Sequence, residues 1–207
     1  MKAKLIGVAG TWRDVADAAR TTVGMEDGTG EPSSKWKMRM LLAEHSPIRL
    51  LQFTVLLEDI KSWVSVHLVR HKIGIEHFVR TQRTDRTGVN RDDLPQSSLV
   101  DHRIHANAQA LIAISRKRLC MKASEETRMA WIRLLMAVEE ADTHVAAACV
   151  PDCVYRGWCN EIKTCGFAGS VSWKAQLVQY RKFTDLFEKE KSLCLLAPPA
   201  EIPNQRL

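Results

Sequence analysis

Arg70-His71-Lys72-Ile73-Gly74-Ile75-Glu76-His77-Phe78-Val79-Arg80-Thr81-Gln82-Arg83 opens on adjacent Arg and His and closes on Thr-Gln-Arg. Seven of these residues are Arg, Lys, His or Gln, all able to donate hydrogen bonds to phosphate or carbonyl oxygens. The density of donors argues for a bound anion. The bland alternative is a solvated helix end, because cations at a helix C-terminus are favoured by the dipole. Thr81, Gln82 and Arg83 weigh toward a site. They add a hydroxyl, an amide that both donates and accepts, and a guanidinium fork suited to a phosphate or a planar carbonyl group.

Working outward, Lys4 to Gly10 reads as a buried strand, and Thr11 can cap a helix from Trp12 to about Val23. Gly24 to Pro32 is a loop. Ser33 or Ser34 can cap a second helix, Lys35 to about His45, with Pro47 marking its end. Leu50 to Leu57 has strand composition. Lys61 to about Lys72 reads as a helix, with Arg70 and His71 at its C-terminal end and Gly74 as its stop. Thr84 to Leu99 is a polar loop, and Val100 to about Ala106 a short strand. Asn107 to about Glu140 is the strongest helical region, broken between Lys122 and Glu125, and Ala141 to Cys149 prolongs it. Pro151 to Gly169 is irregular. Ser172 to about Lys191 is a last helix, followed by an extended tail from Ala197. No repeat or domain boundary interrupts residues 1–207, which read as one domain with a cysteine-rich segment at 149–165.

Hydrophobic residues make up 45% of the 207-residue chain and charged residues 26%, as in an ordinary globular protein. No apolar run approaches the roughly 18 residues a spanning helix needs. The apolar run near Met1 is too short for a signal peptide, so a cytoplasmic protein without a membrane partner is expected. The net charge of +6 favours anionic partners. Because acidic residues are spread among the basic ones, a nucleotide pocket fits better than a nucleic-acid surface.

A second group of residues runs Asn107-Ala108-Gln109-Ala110-Leu111, then Arg116-Lys117-Arg118, then Ala123 to Arg128. Asn107 and Arg118 are eleven residues apart, about three helical turns or ~16 Å on one face. One small ligand could not use both, but a cofactor and a neighbouring substrate could. The alternative is a surface helix with solvated Arg and Lys.

Together these blocks resemble the flavin-dependent thymidylate synthases. That family's signature reads Arg-His-Arg, two residues, Ser, one residue, Asn-Glu, one residue, Ser, one residue, Arg-Tyr. Here Arg70, His71 and Lys72 supply the first half and Thr81, Gln82 and Arg83 the second, with one extra residue between. His45-Ser46-Pro47 is similar to the family's upstream His-Ser segment. Asn107 to Arg118 matches its Asn-Ala-Arg-Ser-Leu…Arg spacing, and Ala123, Glu126 and Arg128 its following helix. Order and spacing are more specific than any single block, and the match covers roughly residues 1–140. The departures are Lys72 for Arg, Thr81 for Ser, Thr84 for Tyr, no clean Asn-Glu pair and a short stretch from Arg83 to Asn107.

The resemblance implies an α/β (α+β) fold with helices on a mostly antiparallel sheet. It implies a homotetramer with active sites between subunits and FAD bound there. Arg70, His71, Lys72, Asn107 and His45 would contact the cofactor. Gln82, Arg83, Arg118 and His67 would hold dUMP, with Thr81 beside the base and Thr81, Arg83 and Arg118 serving the chemistry. The implied reaction is reductive methylation of dUMP to dTMP, with methylenetetrahydrofolate and NADPH as co-substrates and no cysteine nucleophile. A related modification at C5 of dUMP or dCMP, such as hydroxymethylation, is the nearest alternative.

Six cysteines remain: Cys120, Cys149, Cys153, Cys159, Cys165 and Cys194. Cys149, Cys153, Cys159 and Cys165 are separated by three, five and five residues, a pattern that matches neither paired zinc motifs nor the usual iron–sulfur runs. Four thiols on one irregular segment could still enclose a structural metal; free buried cysteines or a redox pair are the alternatives. A reading from another class follows from the charge: a non-catalytic, basic nucleic-acid-binding protein with a cysteine-held metal.

Overall fold

The computed structural model describes residues 1–182. Its elements are β1 (Lys2–Ala9), α1 (Trp12–Thr21), α2 (Ser34–Leu42), a 3-10 turn (Ser46–Leu50), β2 (Gln52–Lys61), α3 (Ser62–Leu68), β3 (Ile75–Val79), α4 (Thr84–Thr87), β4 (Leu99–Asn107), α5 (Ala108–Arg118), α6 (Glu125–Glu139), α7 (Thr143–Ala148), α8 (Asp152–Arg156) and α9 (Val171–Arg181). The strands form one antiparallel sheet in the order β1-β2-β4-β3. Helices cover one face, so the expected α+β architecture is the observed one.

Period-two alternation fixes which face that is. In β2 the buried residues are Phe53, Val55, Leu57 and, past a bulge, Ile60; in β4 they are Val100, His102, Ile104 and Ala106. Register pairs Phe53 with Ala106, Val55 with Ile104 and Leu57 with His102, so one apolar stripe crosses both central strands. Trp131, Leu134 and Val138 of α6 pack onto the same core and are fully buried. Each such side chain contributes about 1.5–3 kcal/mol by leaving water. Trp131 also needs a partner for its indole N–H, which donates to Ser115 Oγ at 2.8 Å.

Capping chemistry places the helices. Thr11 and Asp14 form a capping box that starts α1, and Ser33 caps α2. Asn107 Oδ1 accepts from Ala110 N at 2.9 Å and starts α5 as β4 ends.

Several expectations change. β1 is an edge strand whose residues are mostly exposed rather than buried, because the sheet centre lies at β2 and β4. The helix expected to reach Lys72 ends at Leu68. Its final carbonyls are taken by Arg118 Nη2, which donates to His67 O at 2.6 Å, and by His71 N, which donates to Leu68 O at 3.1 Å. Gly74 therefore does not stop that helix. With φ near 70°, it turns the chain into β3, a strand the sequence reading did not assign. The helix after α6 is separate, because Asp142 Oδ1 accepts from His144 N and Val145 N and starts α7. The irregular cysteine segment contains the short α8. The part of the expected last helix beyond residue 182, the tail from Ala197 and Cys194 lie outside the described residues.

Candidate functional site

The loop between α3 and β3, the first turns of α5 and the 3-10 turn enclose a cleft of about 710 Å³. Arg49, Arg70, His71, Lys72, Asn107, Gln109 and Lys117 supply its polar lining, with no carboxylate lining it among the described residues. Four fixed cations around one concave surface favour a polyanion. Backbone bonds hold the walls together: Asn107 N donates to Gly74 O at 3.0 Å, and Ala108 N to Leu51 O at 2.9 Å. Gly74 also permits a close approach. A Cβ there would stand 2.7 Å from Asn107 Nδ2. Arg49 Nε donates to Gln109 Oε1, which ties the 3-10 turn to α5.

Behind the cleft runs a chain of histidines. Arg118 Nε donates to His71 Nε2 at 2.8 Å, so His71 is neutral with its proton on Nδ1. Burial, Arg118 and His77 push the His71 pKa down to about 4. His77 Nε2 donates to the His71 carbonyl at 3.0 Å, because a carbonyl can only accept. Neutral His77 then accepts at Nδ1, and His102 Nε2 is the donor at 3.0 Å. His102 is fully buried, its Nδ1 has no hydrogen-bond partner among the described residues, and burial followed by His77 pushes its pKa down to about 4. Arg118 is itself shifted downward, by burial first and then by Arg70. His67 is shifted down by burial, then by Arg70 and Arg118, and its Nδ1 lies 3.0 Å from Thr127 Oγ1.

The structure thus gathers Arg70, His71, Lys72 and Asn107 at one cleft, with Arg118 and His67 joined to its back wall. It does not bring Thr81, Gln82 and Arg83 to that place. These lie past the other end of β3, beside the start of β4, where Arg80 N donates to Asp101 O at 2.8 Å. Five strand residues put about 17 Å between the two groups. Gln82 Oε1 accepts from Ser62 Oγ at 3.3 Å. Thr81 Oγ1 accepts from Arg83 N at 3.2 Å, and exposed Arg83 forms a two-bond pair with Asp85 at 2.9 and 2.8 Å. His45 is exposed at the head of the 3-10 turn and does not line the cleft. Arg118 stands with His71 rather than with Gln82 and Arg83. Arg49, His77 and His102 were not singled out in the sequence. The one signal for Arg49 was its position just after His45-Ser46-Pro47.

The cysteines divide differently from the expected set. Cys149 is buried against Ser115, and burial pushes its pKa up to about 12. Burial, and then Cys120, Cys159 and Cys165, push the Cys153 thiol up. Among the described residues, no group of three or more His, Cys, Asp or Glu side chains is placed so that it could hold a metal ion. Among them too, no helix is long and apolar enough to cross a membrane.

No family model matches this sequence, and no curated protein matches it. Solved structures do. The chain superposes on flavin-dependent thymidylate synthase ThyX from Helicobacter pylori, complexed with FAD and dUMP, with a TM-score of 0.59 and 14% identity over 72% of this chain and 100% of that one. A second structure of that enzyme with FAD and dUMP gives 0.61, 12%, 72% and 99%. A UMP/dUMP methylase, PolB from Streptomyces cacaoi, bound with 5-Br dUMP, gives 0.57, 15%, 71% and 93%. This chain therefore has the fold of the flavin-dependent thymidylate synthases.

Proposed function

We propose that this protein is a flavin-dependent enzyme acting on a uracil deoxynucleotide, most simply converting dUMP to dTMP with methylenetetrahydrofolate as carbon donor and NADPH as reductant. The observation that carries the reading is the cationic cleft at Arg49, Arg70, Lys72 and Lys117, beside Asn107, on a fold whose solved examples hold FAD and dUMP. The residues fit such a cofactor. Four cations suit a pyrophosphate, and the Gly74–Asn107 contact leaves no room for a Cβ that would narrow the wall. When bound, flavin would supply the hydride chemistry.

The chain's own residues would bind and polarise. Arg49, Arg70 and Lys72 would neutralise phosphate charge. Neutral His71, fixed by Arg118, would offer its Nδ1–H as a donor and not as a strong acid. Attack at C5 or C6 of uracil moves negative charge onto the ring carbonyl oxygens. Arg118, Gln82 and Arg83 would hold the nucleotide and stabilise that charge, with Thr81 beside the base. Within one chain Gln82 and Arg83 stand apart from Arg118 and the cleft, which supports sites completed by a second copy, as in a homotetramer.

The test is the visible spectrum of the purified protein with added FAD. Flavin bands that shift on adding dUMP, together with a product one methyl group heavier than dUMP, are expected. No flavin uptake at micromolar FAD would overturn the reading. A hydroxymethyl product would move the assignment to the alternative C5 modification. Salt-sensitive DNA or RNA binding by a colourless protein would replace it with nucleic-acid binding.

A further inference from the structure

The cleft wall at Arg70, His71 and Lys72 is held at its central residue. His71 N donates to Leu68 O at 3.1 Å, its ring accepts from Arg118 Nε at 2.8 Å, and its carbonyl accepts from His77 Nε2 at 3.0 Å. The first bond is local to the end of α3, and the second reaches α5. The third ties the turn to β3, the strand that carries His77. Register makes that bond possible. His77 stands opposite Ile104, on the side of the sheet that the helices cover. Its ring meets that of His102, two residues back along β4, with centroids 5.1 Å apart and His77 Nδ1 3.0 Å from His102 Nε2.

The hydrogens in this chain have one arrangement. A carbonyl only accepts, so His77 Nε2 carries a hydrogen. Neutral His77 then accepts at Nδ1, so His102 Nε2 carries the next. Burial holds both rings below the ordinary histidine range, which keeps them neutral. His102 Nδ1 is left bare and buried, without a partner among the described residues. That nitrogen sits in the inward row Val100, His102, Ile104 and Ala106, at 0% exposure. An apolar side chain there would complete the stripe. A bare acceptor instead gives up water and gains nothing, which lowers stability. Core packing therefore does not account for a histidine at this position, whereas the hydrogen it presents to His77 does.

We propose that His77 is a positioning residue for the cleft and that His102 sets its tautomer. His102 fixes the His77 hydrogen on Nε2, and that hydrogen holds the His71 carbonyl so that Arg70, His71 and Lys72 face one anion. Neither His77 nor His102 lines the cleft, so both act through His71. The proposal rests on the cleft being the cofactor site.

The experiment separates the two ends of the His77 ring. His77→Gln keeps an N–H near the Nε2 position and removes the acceptor for His102. His77→Asn keeps an acceptor near the Nδ1 position and removes the donor to His71 O. In fluorescence titration with FAD, His77→Asn should bind about tenfold more weakly than wild type, and His77→Gln within about threefold of it. Urea midpoints should fall in the opposite order, further in His77→Gln, because its buried His102 N–H has lost its acceptor. A merely structural role would move affinity and midpoint together. Two-bond ¹H–¹⁵N spectra of the wild-type imidazoles do not depend on a variant folding, and should show both rings with hydrogen on Nε2 and none on Nδ1. Equal FAD affinity in the two variants, affinities that follow the midpoints, or hydrogen on His77 Nδ1 would overturn the proposal. If wild type takes up no FAD, the cofactor reading fails, and the same titration with inorganic pyrophosphate decides this one. Pyrophosphate bound equally by wild type and His77→Asn, or not bound by wild type, would then overturn it.

Discussion

His102 carries the sharpest quantitative expectation. It is fully buried and neutral, donates through Nε2 to His77, and has a pKa pushed from 6.5 to about 4. The folded state therefore resists the proton that the unfolded chain accepts near pH 6.5. Stability from this group is complete above that pH and is lost as pH falls toward 4. At 1.36 kcal/mol per pH unit, the linkage amounts to about 2.5 kcal/mol between pH 7.5 and pH 4.5. His102→Gln keeps a terminal donor for His77 Nδ1 and removes the titration. It should cost about 1 kcal/mol at pH 7.5, yet lose about 2.5 kcal/mol less than wild type on acidification. The assay is urea unfolding of both proteins across that range, in which protonation of paired carboxylates weakens both alike and cancels. If the two acid losses agree within about 1 kcal/mol, the buried histidine chain has been misread.

The remaining expectations concern the cleft and its frame. Arg70→Ala and Arg83→Ala should each abolish turnover, and Arg83→Ala should leave stability within about 0.5 kcal/mol, because its ion pair with Asp85 is exposed. Co-refolding the two inactive variants should restore part of the activity; a mixture that stays inactive would place each site within one chain. Gly74→Ala should cost about 1–3 kcal/mol from its positive φ. It should also weaken FAD binding by displacing Asn107, readable by flavin fluorescence titration. Asp142→Ala removes the acceptor of two α7 N–H groups and of Trp12 Nε1 at 2.7 Å. It should cost about 3 kcal/mol in denaturant unfolding, with cleft binding unchanged.

The parts legible in the sequence were those written in local chemistry. Thr11 and Ser33 announced α1 and α2 because a cap is a short-range contact between a side chain and the next turn. The strand composition near β2 and β4 was legible because both strands lie at the sheet centre and bury apolar residues. β3 escaped because it is a short edge strand, where Glu76 and His77 can face water or another side chain without breaking the pairing. The spacing of the signature residues named two groups but not the distance between them. A strand between His71 and Gln82 extends the chain where a turn would have folded it back. The His77–His102 pair was invisible for a related reason: β3–β4 register alone makes residues 25 apart into hydrogen-bond partners.

That register also orders assembly in time. β3 and β4 are joined through residues 80–98, whereas β1 must find β2 across Lys2–Glu58 and β2 must find β4 across Gln52–Asn107. Closing the longer loops costs more entropy before any pairing repays it. The Arg70–Gly74 wall belongs to the quickly closed pair, and the Arg49 wall follows only when β2 docks. Pulsed amide exchange during refolding should protect the β3–β4 amides first, so the anion cleft would be born as one wall awaiting the other.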